Sequence, residues 1–195
     1  MGAGVTIAQG IKRAENDFIN FAFIGDSTFF HSGITGVINA IYNETDMILV
    51  VLDNGTTAMT GKQPHPGTGL TMMQQSHSPI NIPELLKGLG IKEVSVLNPF
   101  ELKNSIEEIK RIADLDGIRA IIFQYPCIKL YKKEKVYRVI EEKCIYCKKC
   151  VNNLGCPALI KGENKKISID SNLCYGCSIC QVVCPTGAIV EVENV

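Results

Sequence analysis

The chain has 195 residues, room for one full domain or for a medium domain and a small module. With 46% hydrophobic and 21% charged residues it is an ordinary globular chain, which excludes disorder as its main state. Lys+Arg 20 against Asp+Glu 20 gives no formal net charge, so there is no basic footprint for nucleic acid or an anionic membrane. No apolar run reaches the ~18 residues of a membrane span. Residues 1–10 lack the basic and then apolar order of a secretory leader, so a cytoplasmic protein without nucleic-acid or membrane partners is expected.

In chain order, the apolar runs 21–24, 47–52, 94–97 and 118–123 read as strands, the second too uniformly apolar to have a solvated face. Helix-length amphipathic stretches lie between them at 34–43, 82–89 and 101–113. In the last, Leu102, Ile106, Ile109 and Ala113 fall at helical spacing. This alternation predicts a doubly wound α/β domain with a mostly parallel sheet over residues 1–133. The polar, basic segment 129–135, KLYKKEK, has no periodicity and reads as a solvated linker.

Eight of the nine cysteines lie between positions 144 and 184, which sets residues 134–195 apart as a second module. Cys144-x2-Cys147-x2-Cys150-x5-Cys156-Pro157 is repeated 30 residues later as Cys174-x2-Cys177-x2-Cys180-x3-Cys184-Pro185. Three cysteines at i, i+3 and i+6, with a remote fourth before proline, supply the four thiolates of an iron–sulfur cubane. Four-cysteine zinc sites instead use C-x2-C twice across a longer spacer. In the bacterial two-cluster arrangement the fourth cysteine serves the other cluster. That gives Cys144, Cys147, Cys150 and Cys184 to one 4Fe-4S centre, and Cys174, Cys177, Cys180 and Cys156 to a second. From about Tyr137 the tail resembles bacterial-type 2x4Fe-4S ferredoxin, a small α+β fold. It departs from that pattern in the five-residue spacer before Cys156, where three are usual. Cys127, in the first domain, reads as a small buried hydrophobe.

Gly25-Asp26-Ser27 follows the first strand and Asp53-Asn54-Gly55 the second, placing Asp26 and Asn54 at the carboxyl ends of parallel strands, where open α/β sheets bind ligands. A carboxylate and an amide oxygen there suit a hard cation such as Mg2+, which also takes diphosphate oxygens and backbone carbonyls. A helix starting near Ser32 and Gly33 is expected to turn its free N–H groups toward the same crevice. Each tripeptide alone is a turn; the pairing across one helix is the signal. It is similar to the thiamine diphosphate motif of transketolase-like enzymes, GDG followed by NN, with Ser27 for the second glycine and Asp53 for the first asparagine. That resemblance implies a cofactor site at Gly25, Asp26, Ser27, Asn54 and Thr56, with Mg2+ held by Asp26, the Asn54 side chain and the Thr56 carbonyl.

The strings GDSTFFHSGITGVINAIYN and LDNGTTAMTGKQPHPGTG, with the duplicated cysteine tail, resemble the C-terminal part of the α subunit of indolepyruvate ferredoxin oxidoreductase along the whole chain. The resemblance implies a thiamine diphosphate-binding fold followed by the ferredoxin module. It implies oxidative decarboxylation of a 2-oxo acid, an aryl pyruvate by analogy, with the acyl group passed to coenzyme A and electrons passed through two 4Fe-4S clusters to ferredoxin. Met59 before Thr60-Gly61 is read as a soft, apolar wall for such a substrate. In the resembled family the pyrimidine-binding domain with its activating carboxylate lies elsewhere, so a second subunit or an upstream half is expected to supply it. His31, five residues after Asp26, is the candidate catalytic residue; His65 sits in a turn-rich loop, and His77 reads as structural. The alternative is a non-catalytic electron-transfer subunit carrying a vestigial thiamine-type docking domain.

Overall fold

In the computed structural model, residues 1–15, 17–128, 130 and 135–193 are described. The chain divides into two compact units, Met1–Lys129 and Leu130–Val195. The division falls within the segment expected as a linker, of which all but Leu130 and Lys135 lies outside the described residues.

In the first unit, helix α1 (Ala3–Ala14) precedes strand β1 (Phe21–Gly25). The short helical turn α2 (Asp26–Thr28) and a π-helical turn (Phe29–Gly33) then run directly into α3 (Ile34–Tyr42). Next come β2 (Met47–Asp53), α4 (Ile82–Gly88), β3 (Glu93–Leu97), α5 (Leu102–Ala113) and β4 (Ile118–Gln124). The four strands form one parallel sheet in the order β1-β2-β4-β3. β2 is central and carries an unbroken apolar run for that reason: Met47, Leu49 and Val51 face α1, α3 and α4, while Ile48 and Val50 face α5. At the β1 edge the α5 side of the sheet is not covered among the described residues. Phe21 and Phe23 are exposed there and stack with ring centroids 6.5 Å apart.

Two elements differ from the sequence-based expectation. Helix α1 was not expected; it packs through Val5 and small residues, while its large apolar side chains, Ile7 and Ile11, stay exposed. Val5 and Ala8 are buried, a Cβ added at Gly36 would meet Val5 at 3.2 Å, and Gln9 Nε2 donates to the Gly36 carbonyl at 2.9 Å. On α5 the face packed on the sheet is buried Ser105 and Ile112 with half-buried Ile109; Ile106 is 44% exposed. Ser105 draws that face inward by donating to the Asn98 carbonyl at 3.0 Å. At α4 the chain reverses cleanly, since Asn81 Oδ1 accepts the Glu84 N–H at 2.9 Å and Pro83 pre-sets the first turn.

The second unit pairs β5 (Lys135–Val139) with β8 (Ile189–Glu193) and β6 (Leu159–Lys161) with β7 (Ile167–Ile169), both antiparallel. Each cysteine run carries a short helix, α6 (Lys149–Leu154) or α7 (Ile179–Val183). The duplication read in the sequence extends to the backbone. Tyr146 and Lys148 in the first run, and Gly176 and Ser178 in the second, all have positive φ at matching positions. The two extra residues before Cys156 are absorbed in a longer α6 closed by left-handed Gly155, whereas α7 ends directly at Cys184.

Candidate functional site

The first site sits where β1 and β2 end. Asp26 is buried at 3% exposure, and its carboxylate latches the β2 loop onto the β1 loop. Oδ2 accepts the N–H groups of Asn54 at 3.1 Å and Gly55 at 2.9 Å, while Oδ1 accepts the N–H of Ser27 at 2.7 Å. Thr57 Oγ1 donates to Ser27 Oγ at 2.9 Å, and Asn54 Oδ1 accepts the Thr56 N–H at 3.1 Å. Thr56 is buried. The structure thus brings Gly25, Asp26, Ser27, Asn54 and Thr56 into one crevice. From behind, the chain leaving β4 braces the same loop: Tyr125 N donates to the Asp53 carbonyl at 3.0 Å, and Cys127 N to that of Asn54 at 2.8 Å. Cys127 is half-buried, so its backbone, more than its thiol, serves the site.

The electrostatics suit a cation. Burial pushes the Asp26 carboxyl above its ordinary range; the Ser27 N–H and His65 oppose this, and the neighbouring Asp53 carboxyl adds to it. The Asp26 carboxylate and the Asn54 amide oxygen are hard oxygen donors of the kind a divalent cation takes. One expectation is corrected. The helix does not begin at Ser32 and Gly33, because Asp26–Thr28, the π-helical turn and α3 are continuous. Its first-turn N–H groups therefore lie at Asp26 to Thr28, that of Ser27 being taken up by the Asp26 carboxylate.

His31 is exposed on the π-helical turn, and no hydrogen bond joins it to Asp26 among those described. The histidine that reaches Asp26 is His65, whose Nε2 lies 3.2 Å from Oδ2. Sequence spacing gave it little weight, since 39 residues separate the pair. The signal was its place in a proline-flanked turn of the long connection after β2. Met59 is fully exposed and walls nothing in this unit. His77 is exposed, its Nδ1 2.9 Å from the Ser78 carbonyl oxygen. Two apolar hollows flank the site. One of about 370 Å3 is lined by Leu52, Asn54, Pro99, Ile106 and Tyr125, and another of about 410 Å3 by Pro64, His65, Leu70, Met72 and Ile80.

In the second unit Cys144, Cys147, Cys150 and Cys184 line one pocket, closed by Val139 and Ile189. Burial pushes the Cys150 thiol up, with Cys184 and Cys147 adding to it. Cys180 is pushed up to about 12 by burial, with Cys177, Cys174 and Cys156 adding in turn. The thiols thus sort into two sets of four, each drawing its remote member from the other cysteine run. Among the described residues no three His, Cys, Asp or Glu side chains converge as they would on a single ion.

A parallel α/β unit with a carboxylate-latched crevice at its carboxyl edge, followed by a duplicated cysteine module, defines the class: a cofactor-binding domain carrying an iron–sulfur module. Residues 1–122 match the family model described as thiamine pyrophosphate enzyme, C-terminal TPP binding domain, and residues 167–190 match that of a 4Fe-4S binding domain. The chain belongs to the thiamine pyrophosphate enzyme family, and a 4Fe-4S-binding domain follows the thiamine-binding one. It is similar to indolepyruvate oxidoreductase subunit IorA of Archaeoglobus fulgidus, 41% identical over 201 residues, covering 100% of this chain and 32% of that protein. The resemblance drawn from the motifs is borne out, and the chain spans about a third of the length of this relative. Pyruvate synthase subunit PorD of Methanocaldococcus jannaschii is 35% identical over 84 residues, covering 40% of this chain and 94% of that protein. Among solved structures, a 2-oxoglutarate:ferredoxin oxidoreductase from Magnetococcus marinus, with 2-oxoglutarate, coenzyme A and succinyl-CoA bound, superposes with a TM-score of 0.60 at 21% identity. The match covers 67% of this chain and 47% of that one, a likeness of fold.

Proposed function

We propose that the chain is the diphosphate-binding and electron-exit part of a cytoplasmic 2-oxo acid:ferredoxin oxidoreductase that acts on indolepyruvate or a related aryl pyruvate with coenzyme A. The observation that carries this reading is the joining, in one chain, of the Asp26–Asn54 crevice to eight cysteines sorted into two sets of four. Thiamine diphosphate, when bound, supplies the carbanion chemistry that breaks the bond between carboxylate and keto carbon, and 4Fe-4S clusters supply one-electron transfer.

The chain's own residues hold and orient. Asp26, the Asn54 amide oxygen and the Thr56 carbonyl would hold Mg2+, and the Thr28 N–H in the first helical turn would be left to meet the diphosphate, since that of Ser27 is bonded to Asp26. The Asp26 latch to Asn54 and Gly55 fixes the two loops against each other before any ligand arrives, so little ordering is left for binding to drive. The two sets of four cysteines would carry two clusters, with low-potential ferredoxin as the matching acceptor. The apolar hollow beside His65 suits an aryl side chain better than a small or charged one. The Archaeoglobus fulgidus relative is about three times as long as this chain, and the activating carboxylate is placed, in this reading, in the part of the enzyme outside it.

The test is reduction of a viologen dye by indolepyruvate and coenzyme A. This chain alone is expected to give no turnover, and supplying the remaining part of the enzyme is expected to restore it. Turnover by the 195-residue chain at ~1 per second or more would place the activating carboxylate within this sequence. Electron transfer without thiamine diphosphate binding would favour the electron-transfer subunit instead.

A further inference from the structure

The Asp26 carboxylate is held by more than its own loops. His65 is 8% exposed, its ring stacks on Phe30 with centroids 5.6 Å apart and planes at 29°, and both ring nitrogens are engaged. Nδ1 accepts the N–H of Gly67 at 3.2 Å, which fixes Nδ1 as the lone-pair nitrogen and leaves the proton on Nε2. Nε2 lies 3.2 Å from Asp26 Oδ2, so it donates there. Oδ2 thereby receives three N–H donors, from Asn54, Gly55 and His65, whereas Oδ1 receives one, from Ser27. A carboxylate oxygen has about two lone-pair sites. Oδ2 is therefore saturated by protein, and only Oδ1 keeps a lone pair for a cation.

We infer that His65 is a positioning residue for the magnesium–diphosphate centre: its neutral Nε2–H pins Asp26 Oδ2 and so presents Oδ1 as the oxygen that binds the metal. This rests on the reading of the Asp26 crevice as that centre. A buried, stacked imidazole that edges the apolar hollow with its proton committed to a carboxylate has no proton to exchange with substrate. What it supplies is the orientation of a metal ligand, and outer partners of this kind typically carry 10- to 100-fold of metal affinity. Phe30 closes the ring's other side, and a Cβ added at Gly67 would meet Phe30 at 2.8 Å and His65 at 3.2 Å, so the loop closes tightly on the imidazole.

The experiment is calorimetric titration of Mg2+ into the protein at saturating thiamine diphosphate, comparing wild type, Asp26→Ala, His65→Ala and His65→Gln. Gln keeps an N–H donor at about the reach of Nε2. The expected result is a dissociation constant for Mg2+ raised about 10- to 100-fold in His65→Ala, largely recovered in His65→Gln, with circular dichroism and iron content unchanged. Wild-type affinity in His65→Ala, or an equal loss in both His65 variants, would overturn the inference while leaving the Asp26 site standing. Binding in Asp26→Ala equal to wild type would instead overturn the site and the inference with it. Should His65→Ala fail to fold, 15N-histidine spectra of wild type give the answer. One ring is expected as the neutral Nε2–H tautomer, shifted but still in that form when Mg2+ and thiamine diphosphate are added. The other tautomer, or no shift, would count against it.

Discussion

Asp26 shows how one side chain can be structural and functional at once. Buried carboxylates are costly unless hydrogen-bonded, and four N–H donors meet that cost here while tying two loops together. Asp26→Ala is expected to abolish Mg2+-dependent thiamine diphosphate binding and leave the iron content unchanged, because the cysteines belong to the other unit. A calorimetric titration with unchanged cofactor affinity would remove Asp26 from the metal site. In the second unit Gly176 has a stricter role than the other left-handed glycines. With φ at +73°, its Cβ would lie 2.4 Å from the Lys135 carbonyl, whereas Gly187, at φ +63°, has open space. Gly187→Ala is expected to cost about 1 kcal/mol from backbone strain. Gly176→Ala should cost clearly more and loosen β5, read as earlier thermal loss of the cluster absorbance. Equal effects would show that the Lys135 contact does not constrain the turn.

At the scale of elements, the lower end of the sheet is tied by charge. Arg119 on β4, 2% exposed, donates to Asp46 Oδ1 at 2.6 Å and to the Leu115 carbonyl, while Lys12 from α1 reaches Asp46 Oδ2 at 3.0 Å. Burial pushes Asp46 up, but the Lys12 hydrogen bond and the charge and hydrogen bond of Arg119 outweigh it and hold it below the usual carboxylate value. A depressed folded pKa gives stability that is present above the unfolded value, ~4, and lost as pH falls through the folded one. Asp46→Asn should therefore cost about 1 to 2 kcal/mol at pH 7, discounted for the partial exposure of Asp46, and the gap to wild type should close below pH ~4. A gap independent of pH in denaturant unfolding would mean that the ion pair contributes nothing. Among the cysteines, Cys177→Ala is expected to remove one cluster and leave about four iron, because Cys144, Cys147, Cys150 and Cys184 form a separate set. Loss of all iron would argue that the two sets fold only together.

Across the whole molecule, the strands and three of the long helices were legible because each is an apolar run or stripe of the right period. Helix α1 was not, although Val5 and Ala8, and Ile7 and Ile11, fall at helical spacing: its buried side is small and its isoleucines face solvent. In each cysteine set the three near members follow from local spacing, whereas the remote fourth comes from the other run and was read from the bacterial two-cluster arrangement. The crevice was half legible. Asp26 and Asn54 stand at strand ends that sequence can locate, but His65 arrives from a loop whose path depends on tertiary packing, and the helix start moved because a π-helical turn has no sequence signature. Asp46 and Arg119, 73 residues apart, were invisible for the same reason. The central claim is that one chain unites a magnesium–thiamine diphosphate site with two iron–sulfur clusters. The most direct measurement is the stoichiometry of iron, acid-labile sulfide, zinc, magnesium and thiamine diphosphate in protein isolated without oxygen and equilibrated with the cofactor. The account predicts about eight iron, about eight sulfide and about one magnesium–thiamine diphosphate per chain. Zinc without sulfide, or full clusters with no thiamine diphosphate retained, would contradict it.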